Sequence, residues 1–367
     1  MAQQIALKLE VAADRHGVLQ RHPALSRATR REQHHLVSIY YDTGRLALRR
    51  ANILLRLRKN GASWLQTIKR QDSSDAGLTQ RPEWQAPYRR HFDFSQLDDA
   101  ELHDWLQRDK IAGRLAAVFE SNLRRTVWQL DPEPGSRILV KLDRGWIASS
   151  GRRENISELE LQLLSGSVDS LYALALELAQ RLALPPLLLS KAERGYRLFL
   201  DTPPAPVKAG TVPLDATDTP LAAFRLIALD CLSQLQLNHA GAVHGDDPEY
   251  VHQMRVATRR LRAALRMFRP VLPDGFAARL VPPMRELTRA LGQARDLDVL
   301  MAEIVAPVAA ALPDEPRLTD LASAITNRLY GARAAIRHTL RQPGYRSEEH
   351  TSELQSQVYI SRMPSSA

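Results

Sequence analysis

The sequence predicts an α+β chain, with an N-terminal half built on an antiparallel sheet and a C-terminal half that is all helical. Three observations carry this. Up to about residue 200, short apolar/polar alternations of period two dominate. From 201 to 218, "DTPPAPVKAGTVPLDATD" holds too many prolines and small residues for a helix or a central strand, and is expected to be a linker. From about 219 to 341 the apolar period becomes 3.6.

The first predicted strand lies in "QQIALKLEVA", where Ile5, Leu7 and Leu9 alternate with Gln4, Ala6, Lys8 and Glu10. "HLVSIYYD", "ILLRLRKN", "WLQTIKR", "RTVWQL", "RILVKLD" and "ISELELQLL" follow as further strands, separated by Gly, Asp, Ser or Pro. Two helical insertions are expected, over 100–118 and 167–183. Beyond the linker, four helices are predicted, broken near Gly241–Asp247, Pro270–Gly275 and Pro307–Pro316.

A chain of 367 residues, 44% hydrophobic and 25% charged, has room for two domains with cores and is neither disordered nor membrane-like in composition. Fifty Lys and Arg against 41 Asp and Glu give a net charge of +9, which favours polyanionic partners. Cys231 is the single cysteine, so no internal disulfide is possible. No run of ~20 apolar residues and no secretory leader pattern is found, so a cytoplasmic protein without a membrane partner is expected. The end of the chain has neither period. Back-translated, "RSEEHTSELQS" spells a common sequencing-library adapter, and "SRMPSSA" reads another part of it in a shifted frame. Residues 347–367 are therefore expected to be adapter-derived and disordered, with the natural protein cut short at about residue 346.

The alternation sorts side chains onto faces. Arg56 and Arg58 share one face of their strand, Thr67 and Lys69 share another, and Glu158, Glu160 and Gln162 a third, while the opposite faces are apolar. A solvated face explains any one of these strands. Their repetition, with two arginines on one strand and two carboxylates on another, points instead to a sheet curled around its polar side. Such a lining suits a phosphate chain, with Arg and Lys on its oxygens and carboxylates on a hard divalent cation.

In this light the sequence resembles the CYTH domains of the triphosphate tunnel metalloenzymes. The matching pieces, in order over about residues 3–200, are "YYDT", "LALRRANILLRLRK", "LQTIK", "QRPEW", "LDRG", "ISELELQL" and "SKAERGYRL". The resemblance implies an eight-stranded β tunnel with flanking helices that hydrolyses inorganic triphosphate with Mg²⁺ or Mn²⁺. It implies phosphate binding by Lys8, Arg56, Arg58, Lys69, Arg125 and Lys191, and catalytic metal binding by Glu158 and Glu160. The family signature Glu-x-Glu-x-Lys reads Gln4-x-Ala6-x-Lys8 here, so two expected carboxylates are missing. Gln85, Trp146 and Gln162 thin the acids further, while Glu10 lies on the face of Lys8. A non-catalytic triphosphate or polyphosphate binder is the alternative that these departures favour.

In the second half, "VHQMRVATRRLRAALRMF" places His252, Arg255, Arg259, Arg262 and Arg266 at helical spacing beside an apolar stripe of Val251, Met254, Thr258, Leu261, Leu265 and Phe268. With "RELTRALGQARDLDVL" it resembles the CHAD domain, a helical module whose basic surface binds inorganic polyphosphate; about half of that module, one four-helix bundle over 219–346, is expected. A nucleic-acid-binding protein is the remaining alternative. It rests on the net charge alone, because no nucleic-acid motif and few interleaved aromatics accompany the basic runs.

Overall fold

In the computed structural model, which describes residues 5–70, 83–95 and 97–341, the chain divides into two units, residues up to 178 with 184–203, and residues 179–183 with those from 204 onward. Gln4, residues 80–82 and the tail from Ser347 lie outside the described residues.

The first unit carries eight strands: β1 (Ile5–Glu10), β2 (Arg30–Thr43), β3 (Ile53–Asn60), β4 (Ser63–Arg70), β5 (Glu83–Tyr88), β6 (Leu115–Leu130), β7 (Arg137–Ser149) and β8 (Arg152–Ser165). They form one antiparallel sheet in the order β1-β8-β7-β6-β2-β3-β4-β5. Tight turns fix the register. Ser149 pairs with Arg152 across Ser150 and Gly151, both left-handed (φ 50° and 78°), and such a turn matches the twist of a two-residue hairpin. Outward-facing Leu55 and Ile68 are buried with Leu48, Phe94, Leu102 and Leu106, so the apolar faces of the strands point away from the cavity described below.

Two elements differ from the sequence expectation. The helical insertion stops at Ala112, after the Ala100–Gln107 and Asp109–Ala112 helices, and "LAAV" at 115–118 begins β6. Pairing of Leu115–Ala117 with Tyr41–Thr43 of β2 overrides the helix propensity of the two alanines. Strand β5 has no clean alternation, because Pro87 interrupts it. A proline is tolerated there since β5 is an edge strand.

The Lys191–Leu200 helix is held at three points. The Ser190 side chain accepts from the Glu193 amide at 3.1 Å, capping the first turn. A Cβ on Gly195 would stand 2.3 Å from the Phe119 ring, so only glycine permits this approach to β6. Buried Tyr196 donates to Asp42 Oδ2 at 2.9 Å, and Asp42 also accepts from the amides of Leu48 (2.9 Å) and Arg49 (3.0 Å). "SKAERGY" is thus a docking sequence that fixes Lys191 at the start of the helix.

The second unit holds the long helices Pro220–His244, Pro248–Met267, Phe276–Val299 and Pro316–Arg341, around a core that includes Leu235, Val243, Tyr250, Met254, Leu287, Leu291, Ile336 and Leu340. Thr219 and Asp247 cap the first two, accepting from Ala222 (3.2 Å) and Glu249 (2.8 Å). The third break falls at residues 312–315, inside the expected Pro307–Pro316 span, because a wide helical turn, Leu300–Val305, leads on into the Ala306–Ala311 helix. Pro307 sits just past that wide turn in a helix that runs on without a break, so the local widening goes with the hydrogen bond its missing N–H cannot make. Residues 202–219 form no helix or strand, and Val207 is fastened to Asn238 by two hydrogen bonds of 2.9 and 2.8 Å.

Candidate functional site

The polar faces of the strands enclose a cavity of about 220 Å³. Lys8 comes from β1, Arg56 and Arg58 from β3, Lys69 from β4, Glu83 from β5, Arg125 from β6, Lys141 from β7 and Glu160 from β8, while Lys191 enters from its helix. Residues from both ends of the sheet therefore face one space, which makes the sheet tunnel-like. Register explains the grouping: Lys8 lies opposite Glu160, which lies opposite Lys141, while Lys69 lies opposite Glu83. All six cations named from the sequence line the cavity.

Of the two acids expected to be catalytic, Glu160 lines the cavity. Glu158 lies beneath it, 1% exposed and in contact with the Lys191 ammonium. Sequence reasoning missed Lys141, Asp143 and Glu83. The first two share a face of "RILVKLD", the alternation that exposed Arg56 and Arg58, so the signal was present; Glu83 stands on the proline-interrupted strand, where no such signal exists. Asp143, also 1% exposed, accepts from Arg125 Nε at 2.6 Å and Nη2 at 2.7 Å, with Lys191 Nζ at 2.9 Å. Lys69 pairs with Glu83, and Arg56 Nη2 lies 3.3 Å from Thr67 Oγ1 and 3.9 Å from Glu83.

Among the described residues, seven cations line the space and four carboxylates face or underlie it, an excess of three positive charges. Burial pushes Lys69 down to about 8 and Lys191 to about 7, against the pull of their carboxylates. Burial, then the charge of Arg56, brings Arg58 down to about 10. Glu160 is held at about 2, because Lys141, Arg125 and Lys8 outweigh its own burial. Positive charge concentrated on largely buried side chains around one cavity is stabilised by an anion with several oxygens.

The same residues do not fit a divalent cation. Ala6 contributes a methyl group to the lining, Glu10 is exposed, and each acid at the site already faces an ammonium or guanidinium: Glu160 with Lys141 at 2.8 Å, Glu83 with Lys69, Asp143 with Arg125, Glu158 with Lys191. Among the described residues, no three His, Cys, Asp or Glu side chains are placed to share one ion.

In the helical unit, His252, Arg255, Arg259, Arg262 and Arg266 run along the Pro248–Met267 helix, with Arg259 and Arg266 exposed and the other three half-buried. A Cβ on Gly292 would stand 2.9 Å from the Arg255 guanidinium, which therefore lies across the neighbouring helix. Burial, then the charge of Arg295 from that helix, lowers the pKa of His252, so Arg295 belongs to the same basic cluster. Arg260 points elsewhere, pairing with Asp230 at 2.8 Å.

Sheet, cavity and docking helix together define a CYTH-type tunnel. A CYTH domain model matches residues 2–196, more than half of the chain, and the chain belongs to that family. A CHAD domain model matches residues 226–355. The inorganic triphosphatase of Haemophilus influenzae is 27% identical over 199 residues, 54% of this chain and 55% of that protein, so the chain spans about half the length of this curated relative. A putative adenylyl cyclase from Hippeastrum, described as having a dominant triphosphatase activity, is similar over 54% of this chain and 95% of its own (16% identity, TM-score 0.39). The CHAD domain from Ricinus communis is similar over 42% of this chain and 50% of its own (34% identity, TM-score 0.36). Among the described residues, no helix is long and apolar enough to cross a membrane.

Proposed function

We propose that the tunnel binds inorganic triphosphate and hydrolyses its terminal phosphoanhydride. The observation that carries this reading is the excess of positive charge in an enclosed space, set by Lys8, Arg56, Arg58, Lys69, Arg125, Lys141 and Lys191. These groups neutralise the phosphate oxygens and hold the chain extended, and in the transition state they stabilise the charge moving onto the leaving phosphate. Asp143 and Glu158 set the place of Arg125 and Lys191 from behind. Water attacks the terminal phosphorus in line with the leaving oxygen, and turnover is slow because Ala6 brings no carboxylate to orient that water.

A second reading, hydrolysis assisted by Mg²⁺ or Mn²⁺ on Glu158 and Glu160, is favoured by the kinship with the H. influenzae enzyme. The engagement of both acids by lysines opposes it. Phosphate release from triphosphate, ATP and long polyphosphate, titrated with each metal and in chelator, tests both. Slow release that metal leaves unchanged supports the first reading; release that vanishes in chelator supports the second; triphosphate that neither binds nor turns over overturns both. For the basic helix face we propose inorganic polyphosphate as ligand, in the cytoplasm, with many weak charge contacts. RNA that resists displacement by polyphosphate would make nucleic acid the partner instead.

A further inference from the structure

Lys141 is the cavity cation that β7 brings against the acidic strand β8. It is 8% exposed, and β7 carries it to Glu160 of β8, its partner in register. Its ammonium donates to Glu160 Oε1 at 2.8 Å and to Gln162 Oε1. Glu160 and Gln162 stand two residues apart on one face of β8, and across β1 they oppose Lys8 and Ala6. The ammonium thus lies at the focus of the oxygen row where a divalent cation would have to sit. It supplies one fixed positive charge, with two of its three donors held by Glu160 and Gln162 and the third left for the phosphate chain. It also repels any divalent ion that approaches Glu160.

We propose that Lys141 is a built-in counter-cation that replaces a divalent metal ion in this tunnel, so that triphosphate is bound metal-free and the acidic row is closed to Mg²⁺ and Mn²⁺. This rests on the reading that the tunnel takes triphosphate, but half of it is independent of that ligand. Restoring an acid at Ala6 alone cannot create a metal site, because the new carboxylate faces Gln162 and is captured by the same ammonium.

Two measurements on the full chain test this. In the first, calorimetric titration of the unaltered protein with triphosphate in chelator and in excess Mg²⁺ should give affinities within about threefold of each other, since no metal contact is lost. A drop of about tenfold or more in chelator would overturn the inference while leaving the triphosphate reading intact. The second uses no triphosphate: Mn²⁺ binding is followed by electron paramagnetic resonance. The unaltered protein and Ala6→Glu should bind weakly or not at all, whereas Ala6→Glu with Lys141→Ala should bind at least about tenfold more tightly than Ala6→Glu, having gained a carboxylate and lost the competing charge. Equal Mn²⁺ binding by the single and double variants would overturn the inference. If the double variant does not fold, the first measurement still decides. If triphosphate fails to bind in either condition while the Mn²⁺ series behaves as expected, the triphosphate reading falls and the metal-excluding role of Lys141 stands.

Discussion

Replacing Asp143 with Asn should destabilise the empty tunnel and spare the filled one. Asp143 is 1% exposed and holds two cations that would otherwise face each other, Arg125 through bonds of 2.6 and 2.7 Å and Lys191 at 2.9 Å. Breaking a buried pair from one side costs ~3–5 kcal/mol, and the lower end applies because Lys191 keeps Glu158 and the amide oxygen still accepts from Arg125. In a unit of this size each kcal/mol moves the melting temperature by ~2–4 °C, so about 3 kcal/mol corresponds to a fall of about 6–12 °C. With triphosphate bound, phosphate oxygens stand in for the lost charge, and the gap from the unaltered protein should shrink to less than half. Calorimetric melts of both proteins in chelator, with and without saturating triphosphate, give the four numbers needed. A fall below about 2 °C without ligand, or a gap that widens with ligand, would refute the idea that Asp143 serves as counter-charge to the phosphate-binding cations.

Three further outcomes are expected. Because Lys69 and Lys191 titrate near 8 and near 7 when folded, the unfolded chain binds more protons from there up to its own lysine range near 10.5, so their contribution to stability rises with pH across that window. Triphosphate affinity should fall over the same window as both ammonium groups lose their protons; titrations from about pH 6.5 to about pH 9.5 that show constant affinity would contradict the assignment. Gly195→Ala drives a methyl into the Phe119 ring and should lower stability by about 1–3 kcal/mol, read as a shifted denaturation midpoint with unchanged slope. Arg259→Glu with Arg262→Glu should weaken long-polyphosphate binding by at least about tenfold at low salt in chain already saturated with triphosphate, and the remaining affinity should depend less steeply on salt; undiminished binding would make this face merely solvated.

How much of this was legible in the sequence depends on what kind of signal each residue left. Strands with one polar and one apolar face announced themselves, and Arg56, Arg58, Lys69 and Glu160 could be placed on the inner side from period two alone. Lys8, Arg125 and Lys191 needed the resemblance, since a lone lysine or arginine on a strand or at a helix start is ordinary. The helix Lys191–Leu200 illustrates why: its position depends on a glycine that admits a phenylalanine ring and a tyrosine that reaches a buried aspartate 154 residues away, contacts between segments that no local pattern encodes.

Charge state was legible only as a total. The +9 of the chain pointed to an anion, but the tunnel's excess of three comes from which cation meets which carboxylate across strands, and only the register supplies that. Lys141 makes the point most sharply. In "RILVKLD" it reads as one more polar residue on an alternating strand; opposite Glu160, with Ala6 across the way, it decides whether the acids of β8 are open to a metal or already answered. A signature read residue by residue, Gln4-x-Ala6-x-Lys8, registers the missing acids as a loss. The register adds that the positive charge an acid at position 6 would have recruited is already built into β7, so putting that acid back while leaving Lys141 in place should not restore the metal.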